Sequence, residues 1–285
     1  MFAARCGCPD FIGIAAGRGP PAAGRPRRIE MIKMLSKISL SLQQKVMLGL
    51  LALYWSGIFA LTHITIPPLM LRQMQASDKA LHFLVYFILI ILLWFSISPA
   101  EKVNFRKKKI WIILPLLLFY AAIDEWLQGF EASRTRDIMD FVANVEGLSA
   151  GLVIICLFSF WPAALAATAA AIFVFTGAVR IQFTGQLAFV RPLFLLTSFG
   201  FFTFAWNRFL SSFAPAESKL QKIKMLILAI AVPAGLIAAV KLLTRFTGRV
   251  FGTKDIILSA AAILAVVVAI YLVSLLKSFS PQRKN

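Results

Sequence analysis

Residues 80–98 read ALHFLVYFILIILLWFSIS, and this stretch decides the fold because it is almost entirely apolar and contains no Asp, Glu, Lys or Arg. A helix rises about 1.5 Å per residue, so about 20 such residues cross a hydrocarbon core about 30 Å thick. The stretch therefore predicts a helix that spans a membrane.

Similar stretches recur along the 285 residues, which are 60% hydrophobic and only 15% charged, with a mean hydropathy of +0.82. This composition excludes an ordinary soluble domain. The sequence predicts an all-α, polytopic transmembrane helical bundle of about eight spans, at residues 46–66, 80–98, 110–130, 141–161, 163–181, 192–213, 225–243 and 256–276. The fifth span follows the fourth through only Trp161-Pro162, and proline suits the first turn of a new helix.

The predicted spans divide the chain into four parts. Residues 1–45 form a basic N-terminal tail, rich in Gly, Pro, Ala and Arg and expected to be disordered, with a pre-membrane segment; Met31 or Met34 could equally be the start. Residues 46–162 form a four-helix membrane domain, residues 163–276 an additional four-helix region, and residues 277–285 a cytoplasmic tail.

The net charge of +18 comes from Lys and Arg placed beside the hydrophobic runs. No basic patch with interleaved aromatic residues indicates nucleic-acid binding, so membrane lipids are the expected partners. Basic loops predict that both termini are cytoplasmic. Trp94, Trp111, Trp126 and Trp161 fall at predicted helix ends, where interfacial anchors occur. The three cysteines predict no disulfide framework.

Polar residues concentrate at one end of the second, third and fourth spans. Half of the 12 acidic residues lie within residues 124–146, namely Asp124, Glu125, Glu131, Asp137, Asp140 and Glu146. Because residues four apart share a helix face, three polar stripes follow. They are Asp78, His82 and Tyr86; Asp124 and Gln128; and Asp140, Asn144, Gly147 and Gly151. The sequence predicts that these stripes converge in a polar pocket on the extracytoplasmic side.

Several of these residues also have a purely structural interpretation. Asp137 is suited to cap the fourth helix, and Asp140 to complement its dipole. Gly147 and Gly151 are predicted to be packing glycines. Glu146 lies about 200° from Asn144 around the helix, so we expect it to contact something else, such as a cation from the later spans.

No metal or other cofactor is predicted. His63 and His82, the two histidines of the chain, both fall near predicted outer helix ends, so a mixed site of histidine and carboxylates is a minor alternative, but they lack the tight spacing of a known metal motif.

The combined pattern resembles the VanZ-like membrane proteins over about residues 41–162. It consists of Asp78-Lys79, His82, Tyr86, Asp124-Glu125, Gln128, Arg134, Asp137, Asp140, Asn144 and Gly147. The resemblance implies a multi-pass protein of the bacterial plasma (inner) membrane, in a family named for a member associated with teicoplanin resistance. That family has no established biochemical activity.

The leading functional hypothesis is the binding of a polar envelope component or a lipid head group. The predicted ligand-binding residues are Asp78, Lys79, His82, Tyr86, Asp124, Gln128, Arg134, Asp137, Asp140 and Asn144. One alternative is an enzyme that acts on a lipid-linked substrate with Asp124 or Glu125 as acid or base. The other is a proton- or ion-coupled transporter, since intramembrane carboxylates can relay protons.

Overall fold

The computed structural model describes residues 40–63, 78–99, 101–130, 137–178, 188–213 and 219–279. These residues form an all-α bundle, as predicted, with eight α-helices in the described ranges. The helices are α1 Leu42–His63, α2 Asp78–Ile97, α3 Lys108–Gln128, α4 Ile138–Leu157, α5 Phe160–Phe173, α6 Val190–Leu210, α7 Lys219–Phe246 and α8 Thr253–Phe279. A π-helical turn, Val174–Ala178, extends α5. Seven of the described helices, α2 to α8, are long and apolar enough to cross a membrane, with the π-helical turn counted as part of α5.

The boundary between α4 and α5 differs from the prediction, which continued the fourth span to residue 161. In the structure α4 ends at Leu157 and α5 begins at Phe160. Proline cannot continue a helix, because it lacks an N–H and its ring clashes with the carbonyl four residues earlier, here that of Phe158. Pro162 instead lies in the first turn of α5, where its missing N–H costs nothing.

The hydrophobic core consists of two clusters, and α5 packs into both. The first surrounds α2, whose Tyr86, Trp94 and Phe95 side chains are fully buried. The second lies among α6, α7 and α8, with Ile172 of α5 and Phe199 of α6 fully buried. The four-helix region after residue 162 therefore shares its first helix with the core of the preceding helices.

Trp94 was predicted to be an interfacial anchor, and the structure corrects this. Its side chain is 1% exposed, and its indole Nε1 donates to the carbonyl of Glu101 at 2.8 Å. The chain after α2 folds back over this end of the helix and buries the ring. Trp111 and Trp126 are more than half exposed, as anchors facing the head-group region would be.

Candidate polar binding site

The first turns of α2 and α4 and the last turns of α3 meet at one end of the bundle. Tyr86 Oη of α2 donates to Asp124 Oδ2 of α3 at 3.2 Å. His82 Nδ1 of α2 lies 3.1 Å from Asn144 Oδ1 of α4. The three polar stripes expected from helical spacing therefore come together in the structure. We call this cluster the polar site; it comprises Asp78, Lys79, His82, Tyr86, Asp124, Glu125, Gln128, Asp137, Asp140 and Asn144.

Asp124 is buried and is held by hydrogen bonds from two helices. Its Oδ2 accepts from Tyr86 Oη and, at 3.3 Å, from Gln128 Nε2 one turn later on α3. All three side chains are at most 5% exposed. A buried carboxylate is costly unless hydrogen bonds compensate its lost hydration. These two donors supply that compensation, and the bond from Tyr86 also links α2 to α3.

His82 has one ring nitrogen whose role is set by its neighbour. Its Nδ1 faces the amide oxygen of the fully buried Asn144. An amide oxygen only accepts hydrogen bonds, so this contact assigns the proton of a neutral ring to Nδ1. The other nitrogen, Nε2, lies 3.8 Å from Asp78 Oδ1, which is longer than a hydrogen bond.

Lys79 joins the start of α2 to the start of α4. Its Nζ lies 2.6 Å from Asp137 Oδ2 and 3.2 Å from Asp140 Oδ1. Asp137 also caps α4, because its Oδ1 accepts from the backbone N–H of Met139 at 2.9 Å. The lysine, and secondly this N–H, lower the pKa of Asp137 below its ordinary value. Asp137 therefore has a definite structural role, and Asp140, the second partner of Lys79, is buried.

Two buried polar atoms of the site have no hydrogen-bond partner among the described residues. They are Glu125 Oε2 and Asn144 Nδ2. The other carboxylate oxygen of Glu125 accepts from the backbone N–H of Asp137 at 3.1 Å. A buried polar atom without a partner costs about 1–3 kcal/mol, and native proteins leave few of them. The site thus has one acceptor and one donor that a ligand could satisfy.

Gly147 and Gly151 bring α4 close to α2. A side chain at position 147 would overlap the backbone carbonyl of Phe83, and one at position 151 would overlap the side chain of Ile90. This is the packing geometry expected of glycines between membrane helices. The close approach places Asn144, one turn before Gly147, within reach of His82.

Asp78, His82 and Asp140 have the donor chemistry of a metal site. Each offers one ligand atom, and these atoms all lie within 4.8 Å of one another. The three side chains come from the first two turns of α2 and the first turn of α4. The sequence predicted that these side chains share one polar pocket, but not that their ligand atoms lie this close together. Only the contact of α2 with α4 brings them together.

Two of the residues singled out in the sequence, and the side chain of a third, lie outside the part of the chain that the structure describes, and the contact expected for Glu146 is corrected. Arg134 and Glu131 lie between the described ranges, as does the side chain of His63. Glu146 lies away from the polar site, as predicted, but it is exposed, and no cation pairs with it in the described part of the chain. The expected contact from the later spans is therefore not found there. The link from Glu125 to the backbone of Asp137 was not predicted, since it depends on the path of the intervening loop.

Charge in the polar site is predominantly negative. Five described carboxylates contribute to it, those of Asp78, Asp124, Glu125, Asp137 and Asp140. Lys79 is the one lysine or arginine among the cluster residues defined above. The site is therefore suited to groups that donate hydrogen bonds or carry positive charge.

Comparison with known proteins adds no relative: no family model, curated protein or solved structure matches this chain.

Proposed function

We propose that this protein is a binding protein of the bacterial plasma membrane that holds a polar envelope component, a lipid head group, in the polar site. The observation that carries the proposal is the pair of buried, unpartnered atoms, Glu125 Oε2 and Asn144 Nδ2. A ligand with both a donor and an acceptor would satisfy them. Membership of the VanZ-like family and cytoplasmic termini are part of the same proposal, and the basic loops support an extracytoplasmic site.

The negative charge of the site favours one class of ligand. Carboxylates and amides hydrogen-bond hydroxyl and ammonium groups, whereas five carboxylates would repel a bare phosphate. We therefore expect the bound group to be a hydroxyl- or amine-bearing head group, such as a sugar or an ethanolamine. Lys79, which pairs with Asp137 and Asp140, has a side chain that is 56% exposed at the edge of the site, where an anionic part of the same ligand would approach it.

Native mass spectrometry of the detergent-purified protein tests this proposal. We expect a specific lipid to copurify with the native chain and to be lost in Asn144→Ala and Asp140→Asn. The matched control is Glu146→Gln, because Glu146 is an exposed carboxylate of the same helix. Lipid content that is the same in all four proteins would contradict the proposal.

An enzyme acting on a lipid-linked substrate is the second candidate. The feature that favours it is Glu125, a buried carboxylate with one oxygen available to accept a proton. Purified protein should then turn over such a substrate, and Glu125→Gln should abolish the turnover. The transporter alternative has less support, because the described buried residues of α4 beyond Asn144 are Gly147, Leu148, Gly151 and Ile155. They offer no polar path toward the other membrane face.

A further inference from the structure

His82 is oriented so that its Nε2 can act as a metal ligand. With Nδ1 protonated and facing Asn144 Oδ1, the lone pair of a neutral ring is on Nε2. A carbonyl acceptor behind one ring nitrogen is the usual arrangement for a histidine that binds metal through the other. The imidazole is 8% exposed, so the ring is largely shielded from bulk solvent.

The atoms near Nε2 are acceptors as well. Asp78 Oδ1 lies 3.8 Å away, and a carboxylate oxygen of Asp140 falls within the same 4.8 Å group. A cation placed among a nitrogen lone pair and two carboxylates would be attracted by all three. Lys79 Nζ lies 3.2 Å from Asp140 Oδ1, and its shorter contact, at 2.6 Å, is with Asp137 outside the group.

We propose that Asp78, His82 and Asp140 bind a divalent transition-metal ion, with Zn²⁺ as the best match. One imidazole with two carboxylates suits Zn²⁺, whereas Mg²⁺ and Ca²⁺ prefer oxygen ligands alone. Three protein ligands leave a fourth tetrahedral position for water or a substrate group.

The ligand atoms need only a small movement to close on the ion. Ligands about 2.1 Å from a tetrahedral Zn²⁺ lie about 3.4 Å from one another, compared with the 4.8 Å limit of the present group. Asp78 is the first residue of α2, and its side chain is 36% exposed. It can therefore move toward His82 without disturbing the core. Asp140 can turn toward the ion while Lys79 keeps its contact with Asp137.

Zn²⁺ titration of the chelator-treated, full-length protein in detergent tests the proposal. Calorimetry measures affinity, and absorption of bound Co²⁺ reports the ligand geometry. Replacing Cys6 and Cys8 by Ser first removes the tail thiols, which would bind Zn²⁺ independently. We expect one equivalent of Zn²⁺ to bind, Mg²⁺ not to bind, and Asp78→Asn and His82→Gln to weaken binding at least tenfold.

Two control variants should retain Zn²⁺ binding if Asp78, His82 and Asp140 are the ligands. His63→Ala removes the other histidine of the chain, and Glu146→Gln removes an exposed carboxylate of α4. Asn144→Ala should weaken Zn²⁺ binding about 10–100-fold through the orientation of His82 and alter the Co²⁺ spectrum.

The proposal is overturned if the native site takes up no stoichiometric Zn²⁺, if Asp78→Asn binds as tightly as the native chain, or if His63→Ala abolishes binding. Thermal unfolding of each variant verifies folding, and Asp78→Asn decides the question if His82→Gln does not fold. These titrations contain no added lipid, so their outcome is separate from that of the head-group experiment.

Discussion

Asp124 shows how a charged residue can reside within an apolar span. Tyr86 and Gln128 direct hydrogen bonds to the same oxygen, so the carboxylate is solvated by the protein instead of by water. The contact with Tyr86 also crosses from α2 to α3, which makes it part of the helix packing. Residue-scale chemistry and helix association are therefore joined at this position.

Tyr86→Phe tests this contact at the scale of one hydroxyl group. A hydrogen bond to a charged acceptor contributes about 1.5–3 kcal/mol, and its loss leaves a buried carboxylate with less compensation. We expect a lower free energy of unfolding and a lower melting temperature in detergent. Tyr271→Phe is the control, because Tyr271 is 55% exposed, and it should unfold as the native chain does. Equal stability of the two variants would argue against the role of this contact.

The ion pair between Asp137 and Lys79 should make the stability of the protein depend on pH. Lys79 is the chief cause that lowers the pKa of Asp137 below its ordinary value of 3.8. The carboxylate therefore contributes its full stabilisation above pH 3.8 and loses it as the pH falls through the lowered pKa. Asp137→Asn keeps a capping side chain but removes the charge. We expect the difference in melting temperature between the native protein and this variant to be constant from about pH 7 to about pH 5 and to vanish in stronger acid. A difference already lost at pH 5 would contradict the pairing with Lys79.

At the scale of elements, the contact between α2 and α4 organises the polar site. Gly147 and Gly151 allow the two backbones to approach, and His82–Asn144 and Lys79–Asp140 cross the same interface. Helical periodicity was sufficient to predict which side chains share a face. Together with the predicted topology it placed the stripes in one pocket, but it did not give the interatomic distances that define the metal-type group.

Gly147→Ala tests the close approach of these helices. The added methyl group would overlap the Phe83 carbonyl, which belongs to backbone and cannot simply rotate away. We expect a loss of about 1–3 kcal/mol in unfolding free energy. Gly57→Ala of α1 is the matched control, since nothing lies within 4 Å of its added carbon. That substitution should be neutral or stabilising by up to about 1 kcal/mol. Equal effects of the two substitutions would exclude the tight packing.

What the sequence could predict at this scale depended on local signals. The apolar runs predicted most helix ends to within four residues, but α7 begins six residues before the predicted span, at Lys219, and the α-helical part of α5 already ends at Phe173. Pro162 indicated the start of the fifth helix. The burial of Trp94 was not predictable, because it depends on the Glu101 carbonyl in the loop that follows. The bond from Glu125 to the Asp137 backbone likewise depends on how α3 connects to α4.

At the scale of the whole molecule, opposite ends of the bundle differ in charge. The polar site at the α2–α3–α4 end is acidic, whereas the loop between α2 and α3, at the other end of both helices, carries Lys102 and the basic run 106–109. Basic loops face the cytoplasm in membrane proteins. This asymmetry predicts that the polar site faces the envelope side, where an envelope ligand would reach it.

Cysteine accessibility tests that central claim most directly. In a chain with Cys6, Cys8 and Cys156 replaced by Ser, Lys79→Cys marks the polar site and Lys107→Cys marks the opposite end, both at exposed positions. We predict that a membrane-impermeant maleimide labels Lys79→Cys in intact cells but labels Lys107→Cys only after permeabilisation. Labelling of Lys107→Cys in intact cells, with Lys79→Cys protected until permeabilisation, would contradict the orientation and the proposed envelope ligand.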